Sequence, residues 1–181
     1  ASTGTNFGTS GIYHTVNATA TTAALDLRNN IIINASTPSG TGITAAFRRS
    51  GPALGNFAST SNRNLLYAGT PSATRLVMYD GTTSYQNMAA YQAAVLPREA
   101  NSFAGEAVYA GAGYGTAGNF FISTTPSSTD YLKPVAGITT QAESGAIAIT
   151  TPAITTDYAA AIRQGNAGYT GTGTAPDLGA F

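Results

Sequence analysis

The chain has 181 residues, enough for one domain with a real core, and 9 % of them are charged, with eight Lys+Arg set against eight Asp+Glu for a net charge of zero. So neutral and charge-poor a chain has no electrostatic footprint for nucleic acid or anionic lipid, and neither is an expected partner. The absence of cysteine excludes a disulfide framework and thiolate metal sites, and no apolar run approaches the ~20 residues of a membrane-spanning helix, so no membrane insertion is expected.

Polarity comes instead from Thr, Ser, Asn and Gly, which favour pleated surfaces and tight turns. A hydrophobic fraction of 43 % argues for a folded β-rich chain over a disordered one. The opening Ala1-Ser2-Thr3-Gly4 reads as a cut within something longer, and residues up to Ser10 are turn chemistry around Phe7. From Gly11 to Val16, Ile12, His14 and Val16 alternate with Tyr13 and Thr15, which predicts a strand. Asn17 to Ala24 is a small-residue turn.

The most informative stretch runs from Leu25 to Asn34. Leu25, Leu27, Asn29, Ile31 and Ile33 share one parity, as the buried face of a strand would. A buried amide such as Asn29 costs roughly 1–3 kcal/mol without partners, so it asks for equivalent residues stacked about 4.8 Å above or below it. After a loop through Gly42, the next strand spans Ile43 to Arg49 and ends at Ser50-Gly51-Pro52. Asn64-Leu65-Leu66-Tyr67 then repeats Asn30-Ile31-Ile32-Ile33 at an offset of 34 residues. Leu65 and Tyr67 thereby join the expected structural ladder, and the repeat suggests stacked coils.

Leu76 to Tyr79 is a strand closed by Asp80-Gly81. Ser84 reads as the N-cap of a helix over about 85–94, with Met88, Tyr91, Gln92 and Val95 on one face and Pro97 as its stop. Beyond Asn101 the pattern loosens. Phe103, Val108, Tyr109 and Tyr114 are scattered among glycines, and short extended segments follow at 119–123, 130–134 and 146–149.

Little in the chain points to catalysis. His14 is the sole histidine, and no G-x-S-x-G elbow presents a serine to it. The acids are dispersed, so neither a glycosidase pair nor a metal-ligand set is expected. Asp26 and Arg28 read as a surface pair, Arg48-Arg49 as an anchor at a coil edge, and the glycines from 111 to 118 as a flexible loop. No enzymatic activity, no cofactor and no metal site are expected. Tyrosine is amphipathic and common at binding surfaces, which makes Tyr13, Tyr79, Tyr109 and Tyr114 candidate glycan contacts within a pool that also holds Tyr67, Tyr85 and Tyr91.

The tail carries a resemblance. Ile162-Arg163-Gln164-Gly165-Asn166-Ala167-Gly168-Tyr169, followed by the run from Gly171 through Pro176-Asp177-Leu178-Gly179-Ala180-Phe181, resembles the terminus of large secreted or surface-attached bacterial proteins built as right-handed parallel β-helices. The likeness extends upstream to Leu27-Arg28-Asn29-Asn30-Ile31-Ile32, to Asn64-Leu65-Leu66-Tyr67-Ala68-Gly69 and to Asp80-Gly81 with Met88-Ala89-Ala90-Tyr91. The family commonly carries an Asp-x-Asp-Gly-Asp turn before Ile-Arg. Here Asp157 is followed by Tyr158-Ala159-Ala160-Ala161, too few carboxylates for the six to eight oxygens of a Ca²⁺ site.

The resemblance implies an all-β right-handed parallel β-helix, a solenoid with one short helix and a loop-rich C-terminal cap packed back on its coils. It implies one domain, 1–181, with coils over 1–100 and the cap over 101–181. It further implies a non-enzymatic extracellular structural or adhesive module at the cell surface, within a larger chain or a stacked assembly. Self-association or neighbouring domains would be its partners. A carbohydrate-binding module is the alternative, and a polysaccharide lyase or hydrolase remnant a more distant one.

Overall fold

Thr44-Ala45-Ala46-Phe47-Arg48-Arg49 forms the central strand of the larger sheet in the computed structural model, which describes residues 4–19, 24–104, 120–135 and 140–179. These residues divide into two units, Ala1–Gly105 and Glu106–Phe181. Among the described residues, the first contains all the regular elements. In chain order they are β1 (Ser10–His14), β2 (Ile31–Ile33), β3 (Thr44–Arg49), β4 (Leu65–Tyr67), β5 (Arg75–Tyr79), β6 (Ser84–Tyr85), α1 (Met88–Val95) and β7 (Phe103–Ala104). One sheet has the order β1-β3-β5-β6 and the other β2-β4-β7.

All pairings are parallel except that of β6, which returns antiparallel along β5. The expected stacking register is present, with Ile31 opposite Leu65, Ile32 opposite Leu66 and Ile33 opposite Tyr67. The expected architecture is not. In place of an all-β right-handed parallel β-helix, the chain forms a mixed α/β arrangement of two separate sheets and a helix. Among the described residues neither sheet closes or winds into a solenoid. An equal spacing of similar strands specifies parallel neighbours, and it leaves open how the segments between them connect.

The buried parity also shifts within the Leu25–Asn34 run. Leu27 and Asn29 are buried, but further on it is Ile32 that enters the core, while Ile31 and Ile33 are half-buried. The cause is backbone geometry. Asn29 adopts φ 61°, a left-handed conformation that asparagine tolerates better than most residues, and this breaks the alternation. Arg63, at the equivalent place 34 residues on, has φ 58°. The stacked amides are therefore Asn30 and Asn64, one residue beyond the expected Asn29. The Asn30 Nδ2 donates to Asn64 Oδ1 at 3.0 Å, which also accepts the Asn30 backbone N–H at 3.0 Å.

Rings and aliphatic chains fill the core of the first unit. Phe47 and Phe57 lie 5.5 Å apart, centroid to centroid, and Leu27, Ile32, Leu66, Met78, Met88, Tyr91 and Val95 pack with them. Gly11 lets β1 approach the second sheet, since a Cβ there would sit 2.9 Å from Ile32 Cγ2. The helix starts later than expected. Ser84 and Tyr85 are drawn into β6 by the turn that the Asp80 carboxylate organises, so Asn87 caps the helix by accepting the Ala90 N–H at 2.9 Å. Met88, Tyr91 and Val95 form the buried face.

The second unit holds turns and isolated bridges, and none of its described residues belongs to a named strand. Phe121 and Ser123 make single bridges to Pro134 and Tyr131, and the 146–149 segment is tied instead by Ala146 N–H to Pro176 O at 2.9 Å. Arg163 organises the tail motif by donating from Nη1 to Gly179 O at 2.9 Å and from Nη2 to Asp177 O. Leu178 is buried, and its N–H reaches Ala142 O at 2.8 Å. The Asp157 carboxylate closes a local turn by accepting the Ala161 N–H at 2.8 Å.

Candidate functional site

Parallel pairing brings three side chains into one row across the larger sheet. Tyr13 on β1 is the register partner of Arg48 on β3, which in turn is the partner of Tyr79 on β5. Side chains on a strand alternate between faces, so Arg48 stands opposite its neighbours Phe47 and Arg49, both of which are fully buried. The Arg48 guanidinium carbon lies 5.8 Å from the Tyr13 ring centroid and 5.1 Å from that of Tyr79. A cation over an aromatic face at this distance is attracted by the ring quadrupole. The cation is thus held between two tyrosines.

The row is anchored at one end and open at the other. The Tyr79 hydroxyl donates to Gly81 O at 2.9 Å, in a turn that needs the positive φ of Gly81 (89°). The Asp80 carboxylate fastens that turn, accepting N–H groups from Thr82 at 3.0 Å and Thr83 at 2.6 Å and the Thr82 hydroxyl at 2.8 Å. Burial pushes its pKa up, but the bonds from Thr83, Thr82 and Tyr85 outweigh it and hold the carboxyl below its ordinary value. Tyr13, by contrast, is 58 % exposed on an edge strand. Arg48 makes no hydrogen bond or ion pair among the described residues, and its Nε is buried without a partner.

The other residues singled out in the sequence are dispersed. Leu25 bridges to Phe57, Leu27 is core, and Ile31, Ile33, Leu65 and Tyr67 belong to the smaller sheet. Tyr85 and Tyr91 pack on one another with centroids 6.0 Å apart, and Tyr91 is buried. Tyr109 and Tyr114 lie outside the described residues, as does the glycine loop at 111–118. His14 stacks on Phe47 at 6.4 Å and 14° and tilts against Phe57 at 6.3 Å. Burial, then the charge of Arg49, holds its pKa below the ordinary value, so this half-buried imidazole is neutral at pH 7.

The acids serve local structure. Asp26 pairs with Arg28 at 3.1 Å and accepts the Thr60 hydroxyl at 3.0 Å. Asp130 pairs with Lys133 at 3.1 Å, and Asp177 accepts the Ser144 N–H at 2.6 Å. Glu99 is buried, receiving the Asn64 amide at 3.0 Å and the Ser102 hydroxyl. Among the described residues no group of three or more His, Cys, Asp or Glu is placed to hold a metal ion. No helix among them is long and apolar enough to cross a membrane.

Two features were not foreseen. Arg48 read as an edge anchor because nothing local distinguishes it from Arg49. Strand alternation separates the two, burying Arg49 beside the Phe57 ring at 5.2 Å and leaving Arg48 between tyrosines. The buried Asn64–Glu99–Ser102 group was missed because its members are 35 and 38 residues apart or three apart across a turn. The signal for the row lay in the spacing of Tyr13, Arg48 and Tyr79, legible only once strand register is known. Set against protein-family models, characterised proteins and solved structures, the chain matches none of them.

Proposed function

We propose that this chain is a non-enzymatic structural or adhesive module of an extracellular surface protein, and that it joins its neighbours through the strand edges at one end of the first unit. A single asymmetry supports the reading. Among the described residues, β1 and β2 have no strand on their outer sides, whereas the opposite sides of the two sheets end in the two-residue strands β6 and β7. Neither β1 nor β2 contains Lys, Arg, Asp, Glu or Pro, the residues that blunt an open edge. The zero net charge offers little repulsion between copies. A second copy, or a neighbouring stretch of a longer chain, would pair there through main-chain hydrogen bonds.

Sedimentation velocity over a rising concentration series tests this. The chain is expected to associate, and the double variant Ser10→Lys with Ile31→Lys, which charges both edges, is expected to sediment as a monomer with an unchanged circular dichroism spectrum. A wild-type chain that stays monomeric throughout overturns pairing between copies, and failure of a longer chain to protect the β1 and β2 edge amides from exchange overturns the proposal altogether. A second reading, carbohydrate binding, is favoured by one observation of its own: Tyr13 and Tyr79 stand in a single row, where an apolar sugar face would meet aromatic faces.

A further inference from the structure

We infer that the Tyr13–Arg48–Tyr79 row takes an acidic sugar, whose carboxylate or sulfate ester is received by the Arg48 guanidinium while the flanking rings accept the sugar's C–H faces. The inference rests on the carbohydrate reading and adds to it the charge of the ligand.

Three observations carry it. Arg48 is a cation with no acidic partner among the described residues. Asp80, one residue past Tyr79, has its carboxylate bound within its own turn. Contact with the two rings steadies the guanidinium without neutralising it, so its full charge stays available. A guanidinium presents a planar fork of donors that matches a carboxylate or sulfate, and one already held between rings loses little rotamer freedom on binding.

Geometry selects a sugar over other anions. Register neighbours on adjacent strands lie about 4.8 Å apart, so the tyrosines emerge roughly 10 Å apart with the cation midway. A small inorganic anion would use the cation alone. A sugar chain lying across the strands would use all three groups. Tyr13 lies on the edge strand and has Arg48 on one ring face, so no strand among the described residues covers its other face.

The test uses the full chain and one oligosaccharide in three forms: a neutral β-1,4 glucan hexamer, the same hexamer carrying C6 carboxylates, and the same hexamer carrying C6 sulfates. Titration calorimetry should show at least one acidic form bound about tenfold or more tighter than the neutral one, the worth of a charge-assisted bidentate contact. Arg48→Gln should abolish that preference while leaving weak neutral binding, Arg48→Lys should keep part of it, and Tyr13→Ala should weaken all forms. Arg28→Gln, at an arginine already paired with Asp26, should change nothing.

Equal affinity for neutral and acidic forms, or a preference that survives Arg48→Gln, overturns the inference and leaves the carbohydrate reading standing. So does equal loss in Arg28→Gln, or equal binding of poly-glutamate, since either would mean charge alone. No binding of any form by folded protein removes the inference and the carbohydrate reading together. The relative affinities of the carboxylated and sulfated hexamers tell which anion the fork prefers.

Discussion

Replacing Asn64 by Ala removes a heavily used buried amide of the first unit. Its Oδ1 accepts both the backbone N–H and the side-chain N–H of Asn30, each at 3.0 Å, and its Nδ2 donates to Leu27 O at 2.9 Å and to the Glu99 carboxylate at 3.0 Å. These losses are unequal. Leu27 O keeps a second bond, from Asn62 N–H at 2.8 Å, so it is not orphaned. The Asn30 N–H has no such reserve and costs about 1 kcal/mol, and the Glu99 carboxylate loses a charge-assisted donor worth about 1.5–3 kcal/mol. The expected total is about 3 kcal/mol, a large fraction of the 5–15 kcal/mol typical of a folded domain.

Asn30→Ala provides the scale. Its side chain gives up a bond to Arg28 O at 3.1 Å and one to Asn64, both at a half-buried position, for about 1 kcal/mol. Urea unfolding followed by circular dichroism should therefore rank Asn64→Ala below Asn30→Ala by roughly 2 kcal/mol. If the two variants lose the same stability, Asn64 is not the hub of this polar group, and the reasoning from bond count and burial is refuted.

Stability should also depend on pH through Glu99. Burial, partly offset by Ser102 and Asn64, raises its pKa above the ordinary 4.5. The folded state therefore holds this proton more tightly than the unfolded state does, so the contribution is full below pH 4.5 and is lost as pH rises through the raised value. Glu99→Gln should flatten that part of the melting-temperature profile; an unchanged slope would count against the assignment. His14 acts with the opposite sign, because its lowered pKa costs stability as pH falls beneath 6.5, and Glu99→Gln leaves that branch intact. In the second unit, Arg163→Ala should release the tail that Arg163 ties at Asp177 and Gly179, seen as faster amide exchange at Leu178 while Asn30 and Asn64 are unaffected.

Composition and pattern alone carried a good deal. The weak charge, the turn-rich β character and the 34-residue echo between Asn30-Ile31-Ile32-Ile33 and Asn64-Leu65-Leu66-Tyr67 are local properties. The echo became strand register because similar strands stack best with like over like. The buried face of α1 was equally legible, since Met88, Tyr91 and Val95 follow helical spacing.

What lay outside the sequence depended on single torsions and on long-range pairing. A left-handed turn at Asn29 moved the stacked amide to Asn30 and put Ile32 in the core, and no parity count registers a backbone that changes hand. The winding expected from the repeat gave way to two sheets and a helix, because the repeat constrains which strands pair and not how the chain travels between them. Arg48 gained its position between Tyr13 and Tyr79 from residues 35 and 31 positions away. Only the tertiary register brings such groups together, since their meeting is fixed by hydrogen bonds between strands and not by anything written beside them in the chain.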